Sequence, residues 1–109
     1  MRADTARLDR LFTALADGSR RAMIDRLAAG PASVSDLARP LGMALPSAVK
    51  HLAVLEAGGV VHSDKAGRVR TYRIAPEAFS GLEAWVAERK SQWQSQFDRL
   101  DAYLTKDTS

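Results

Sequence analysis

The chain has 109 residues, a length suited to one domain, and 46% of them are hydrophobic, enough to bury a core and to argue against disorder over most of its length. Sixteen Lys and Arg stand against 13 Asp and Glu, a net charge of +3 that permits a polyanionic partner without demanding one. The lack of cysteine excludes disulfides and thiolate metal sites, no apolar run is long enough to cross a bilayer, and the start Met-Arg-Ala-Asp-Thr-Ala-Arg has no apolar stretch of a signal peptide, so the cytoplasm is the expected compartment.

In chain order, residues 4–16 read as a helix whose apolar stripe is Leu8, Leu11, Phe12 and Leu15. Asp17 has the character of an N-cap for a second helix carrying Arg20, Arg21, Met23, Ile24 and Leu27, which Gly30-Pro31 stops. Ser33 opens a third helix: its hydroxyl can accept from the N–H of Asp36, whose carboxylate complements the helix start. That helix is short, because Pro40 disfavours helical geometry at Arg39. Leu41-Gly42-Met43 then makes a tight connection into residues 44–57. In that fourth helix Leu45, Ala48, Val49, Leu52 and Leu55 form the expected apolar stripe, while Ser47, Lys50 and His51 fall on another face at i, i+3 and i+4. Pro46 is tolerated in the first turn, and Gly58-Gly59 supplies the left-handed residue that ends the helix. A short helix, a turn with Gly and a second amphipathic helix is the helix-turn-helix pattern, with hydroxyl, ammonium and imidazole offered to a DNA groove.

After Gly59 the period changes. Val60–Ser63 and Val69–Ile74 are rich in β-branched and aromatic residues, and the Gly-containing run Asp64–Arg68 between them predicts a hairpin over 60–74. Lys65, Arg68, Arg70 and Arg73 face only Asp64 there, the densest basic cluster in the chain. Pro76 opens a long helix to about residue 104, on which Phe79, Leu82, Trp85, Val86, Trp93, Phe97, Leu100 and Leu104 recur at steps of three and four apart from one wider gap. This is more apolar surface than so small a domain needs. Leu8, Leu11, Phe12 and Leu15 of the first helix, with Trp85, Trp93, Phe97 and Leu100 of the last, are therefore expected to form a homodimer seam. Residues 105–109 are expected to fray.

Each assignment has a plainer counterpart. Lys50 and His51 could be an ordinary solvated face, the wing arginines simple solubilising charge, and the tryptophans an effector pocket. Arg20 and Arg21 suit either phosphate or the neighbouring Asp17 and Asp25. His51 and His62 lack the Cys or carboxylate partners of a metal site, so no metal and no cofactor are expected. No nucleophile–base spacing and no Gly-rich phosphate loop is present, and no enzyme activity is expected.

The chain resembles the ArsR family of bacterial winged-helix repressors over roughly residues 8–104. The resemblance is carried by Leu15-Ala-Asp-Gly-Ser-Arg-Arg21, Val34-Ser-Asp-Leu-Ala38, Leu45-Pro-Ser-Ala-Val-Lys-His-Leu-Ala-Val-Leu-Glu56 and Gly67-Arg-Val-Arg-Thr-Tyr-Arg73. It implies one domain over 1–109, mainly α with a β-hairpin wing, dimerising through its N- and C-terminal helices. It also implies a homodimeric repressor on an imperfectly palindromic operator in double-stranded DNA, often released by a small-molecule inducer. Ser47, Lys50 and His51 would enter the major groove, with Lys65, Arg68 and Arg70 on the flanking backbone. The departures are specific. Ser33 and Ser35 stand where thiolate members carry a Cys-Val-Cys pair, and a hydroxyl is a poor ligand for a soft metal ion. The final helix has no His for zinc, Ala44 stands where relatives often have Ser, and Ala53 where Lys is common. The last two leave open a dimeric protein-interaction module on the same fold without specific DNA binding.

Overall fold

A computed structural model describes residues 2–107 and divides the chain into two compact units, 1–79 and 80–109. In the first, α1 (Arg2–Leu15), α2 (Gly18–Leu27), β1 (Ala32–Ser33), α3 (Val34–Ala38), a 3-10 turn (Arg39–Leu41), α4 (Leu45–Ala57), β2 (Val61–Ala66) and β3 (Val69–Ile74) follow in order. The second is the single helix α5 (Ser80–Asp107).

The helix boundaries follow local chemistry. Asp17 sits in extended backbone and its carboxylate accepts from the N–H of Arg20 at 3.0 Å, capping α2. Ser33 does the same for α3, accepting from the N–H of Asp36 at 3.2 Å. The end of α1 is solved from outside. It has no basic residue in its last turn, and α2 supplies the missing charge. Arg20 donates to the carbonyls of Ala14 (2.9 Å) and Thr13 (2.8 Å), and Arg21 donates to that of Leu15 (2.7 Å). Between α3 and α4, Gly42 takes φ 59° and ψ 30°, the left-handed conformation the tight connection needs. At the end of α4 the N–H groups of Gly59 and Val60 donate to the carbonyls of Glu56 and Leu55, each at 3.0 Å. With Gly59 at φ 74° this is a Schellman cap, its companion hydrophobic pair being the buried Leu55 and Val60.

The core gathers Leu11, Met23, Leu37, Leu52, Leu55 and Val61, and no buried polar side chain is found among the described residues. Fully burying one such side chain contributes about 1.5–3 kcal/mol. Of the five residues expected on the buried stripe of α4, Ala48, Leu52 and Leu55 are buried, but Leu45 and Val49 are half exposed and are corrected to the surface. Ala48, Leu52 and Leu55 already define the inward direction at i, i+4 and i+7. Leu45 and Val49 lie to one side of it.

The wing differs from the expected hairpin in two ways. β2 continues through Ala66, so the loop is only Gly67-Arg68, with Gly67 at φ 62° as a two-residue connection with glycine first requires. Lys65 therefore lies on a strand. A third strand also appears: β1 pairs antiparallel with β3 (Ala32 opposite Tyr72, Ser33 opposite Thr71), giving the sheet order β1-β3-β2.

α5 begins at Ser80 after a turn over 76–79, later than the proline-based start. It runs past residue 104 to Asp107, where fraying was expected; residues 108 and 109 lie outside the described residues. Trp93, Phe97, Leu100 and Leu104 are exposed along it at steps of four, three and four, a heptad-like seam. Trp85 is partly buried, with the Arg89 guanidinium 4.5 Å from its ring centroid. Leu11, expected in the dimer seam, is instead buried in the core, while Phe12 is exposed and Leu8 and Leu15 are intermediate.

Candidate nucleic-acid interface

α4 places its residues in three directions. Ala48, Leu52 and Leu55 face the core. Pro46, Ser47, Lys50 and Ala53 are exposed, as are Leu45 and Val49. His51 turns toward α2: its Nδ1 lies 3.2 Å from a guanidinium nitrogen of Arg20 and 3.9 Å from a carboxylate oxygen of Asp17. The expected common face of Ser47, Lys50 and His51 is therefore split, with the first two in solvent and the third in a cluster with Arg20. Arg20, which the sequence suits equally to phosphate or to the nearby Asp17 and Asp25, in fact reaches carbonyls of α1 and the ring of His51 on α4.

That cluster sets the chemistry of the imidazole. A guanidinium can only donate, so Nδ1 accepts, and the proton of the neutral ring sits on Nε2. The Asp17 carboxyl is held below its ordinary range chiefly by the N–H of Arg20; burial opposes this, and the Arg20 guanidinium and its other near neighbours add smaller downward pulls. One guanidinium thus closes the end of α1 and fixes the ring of His51 on α4.

The wing's charges divide in the same manner. Arg73 pairs with Asp64. Arg70 donates to the Ser63 hydroxyl at 2.8 Å, and that hydroxyl donates to Glu56 at 3.0 Å, tying the wing to the last turn of α4. Beneath this relay the Tyr72 hydroxyl is pushed up by burial and by Glu56, with Arg70 opposing. His62 bonds Glu77 at 2.9 Å; the Glu77 carboxyl is lowered by its own backbone N–H and by that histidine. Lys65 and Arg68 are exposed, and neither has a hydrogen-bond or ion-pair partner within the described residues. Lys65 stands directly opposite Arg70 in the β2–β3 register, two cations where a stable hairpin prefers opposite charges. No group of three or more His, Asp and Glu placed to hold a metal ion occurs among the described residues, and no described helix is long and apolar enough to cross a membrane.

A family model described as a helix-turn-helix domain matches residues 15–64. The chain is 43% identical over 74 residues to the HTH-type transcriptional regulator Rv2034 of Mycobacterium tuberculosis, covering 68% of this chain and 69% of that protein. It is 49% identical to the crystal structure of an ArsR family transcriptional regulator, RHA00566, with a TM-score of 0.79 over 84% of this chain and 94% of that one. It is 33% identical to the solution structure of the homodimeric winged helix-turn-helix DNA-binding domain Mb0332 from Mycobacterium bovis, a possible ArsR-family regulator, with a TM-score of 0.67 over 86% and 87% of the two chains. Rv2034 and RHA00566 are both transcriptional regulators. The mainly helical fold with its small antiparallel wing, the exposed α4 and these similarities agree: the chain belongs to the ArsR family of winged helix-turn-helix transcriptional regulators.

Proposed function

We propose that this protein is a homodimeric, sequence-specific transcriptional repressor that lays α4 in the major groove and the wing on flanking phosphates. The observation that carries the reading is the cation pair Lys65–Arg70 with Arg68 at the wing tip. Like charges held side by side cost stability in the free protein, and a phosphate backbone removes that cost. Lys50 supplies a donor from the exposed side of α4, and Ser47 a hydroxyl beside it. His51, its ring fixed by Arg20, directs its Nε2–H away from that contact as a donor to backbone or base.

Support for the dimer comes from the exposed heptad-like seam of α5 and from the homodimeric relative from Mycobacterium bovis. Two copies of α4 would then meet an imperfect palindrome about one turn, roughly 34 Å, apart. With no cysteine in the chain, an inducer would not be a soft metal ion held by thiolates; release by a small molecule, by a protein or by nothing at all fits this sequence. A cytoplasmic location fits this role.

A second reading, a dimeric interaction module without an operator, draws on one observation: Ala44 leaves α4 without a side-chain N-cap. Footprinting on the DNA upstream of the protein's own gene, at moderate salt, separates the two. A discrete protected site and repressed transcription in vitro support the repressor. Diffuse association that vanishes as salt rises supports the module. Operator affinity unchanged in the double variant Lys50→Ala, Arg68→Ala would overturn the assignment of the interface.

A further inference from the structure

We propose that Leu45 and Val49 read the C5-methyl groups of thymine in the major groove, so that the preferred half-site carries thymine opposite the N-terminal half of α4. The proposal rests on the reading of α4 as the groove helix and says what that helix recognises.

The two side chains are 51% and 50% exposed, whereas Ala48, Leu52 and Leu55 on the same helix are fully buried. They are four residues apart and so lie in one row, which the exposed Ala53 continues. The adjacent row holds Pro46 and Lys50. The outward side of α4 thus offers hydrocarbon, the Lys50 ammonium and the Ser47 hydroxyl, without the Asn, Gln or Arg that would read a base by a bidentate pair. Leu45 also borders an open hollow of about 250 Å³ lined with Ser35, Ala38, Arg39 and Met43, room beside the leucine for a group of methyl size.

Base edges in the major groove present donors, acceptors and a single apolar group, the thymine methyl. An aliphatic row matches only that group. Against guanine or cytosine the same row would strip water from polar atoms and return no hydrogen bond. The neighbouring row selects the occupant: Lys50 beside the apolar strip sets an ammonium against hydrocarbon, a combination complementary to a base edge and its flanking phosphate.

The test uses the full chain. A preferred duplex is selected from a randomised pool, and deoxyuridine then replaces thymidine one position at a time, removing the methyl and leaving the pairing intact. At contacted positions affinity should fall about fourfold per methyl. Leu45→Ser and Val49→Ser combined, both at exposed sites outside the core, should bind thymine and uracil duplexes equally and lose the thymine preference on reselection, and each alone should lose the uracil sensitivity of the positions it contacts. A selected duplex whose affinity stays within about twofold at every uracil position would overturn the proposal, as would serine variants that keep the parental uracil sensitivity. Enrichment of no duplex at all would sink the groove reading itself along with it.

Discussion

Gly58→Ala tests how closely α1 crosses the end of α4. Gly58 has φ −79° and ψ −2°, a conformation alanine adopts freely, so the backbone raises no objection. The space does. A Cβ there would lie 2.8 Å from the Cβ of Ala14 and 2.9 Å from the carbonyl oxygen of Arg10. Carbon atoms settle at about 3.5–4.0 Å, so α1 must retreat by about 1 Å. Neither obstacle is a flexible tip: Ala14 is fully buried and the other atom is helix backbone. Overpacking of this kind costs about 1–3 kcal/mol. Removing a glycine from the unfolded chain returns at most about 1 kcal/mol. The net expectation is a loss of about 1–2 kcal/mol, or a fall in Tm of about 4–8 °C for each kcal/mol. Thermal melts at fixed protein concentration read this directly, because self-association also shifts Tm. Gly81→Ala, in the first turn of α5 where a Cβ meets nothing within 4 Å, is the matched control and should be neutral or stabilising by up to about 1 kcal/mol. A Gly58→Ala protein melting at or above the parent would refute the close crossing.

Arg68→Ala should weaken binding to all duplexes alike and reduce the slope of log affinity against log salt by about one, as measured by fluorescence anisotropy across a salt series. Lys65→Thr should move two observables in opposite directions: the free protein gains a few tenths of a kcal/mol in urea titrations as the cross-strand repulsion is relieved, while affinity for duplex drops. The Asp17 carboxyl, held below its ordinary range in the folded protein, is protonated first in the unfolded chain. Its contribution is therefore complete above the ordinary carboxylate range near 4 and drains as pH falls through the folded value. Denaturation midpoints between about pH 6 and 2.5 should fall less steeply in Asp17→Asn, and an identical acid limb would count against the cap. Phe97→Ser should shift sedimentation toward the monomer at micromolar protein, whereas an unchanged dimer would place the seam elsewhere.

The features legible in the sequence are those decided within a few residues. Asp17 and Ser33 announce their caps because donor and acceptor are three positions apart. Gly59 announces the end of α4 because only glycine takes its φ cheaply. What escaped notice depends on partners far along the chain. The two-residue β1 exists only through its pairing with β3, some forty residues on. His51 leaves the expected face for Arg20, 31 positions away. Leu45 and Val49 satisfy helical periodicity as well as any core residue does, and periodicity cannot say which side of a stripe meets solvent. Lys50, Lys65 and Arg68 needed only exposure, and charge alone was enough to foresee it.

The short strand β1 has a mechanical consequence. It ends in the residue that caps α3, and its partner strand is the inner strand of the wing. At the other end of the motif, Arg70 and Ser63 fasten the wing to Glu56. The wing is thus tied at both ends, to β1 and to the last turn of α4, so on the proposed reading the span from bases met by α4 to phosphates met by the hairpin is set by the fold. On that reading a duplex whose groove is too wide or too narrow would itself have to deform, and the stiffness of its sequence would enter the choice of site.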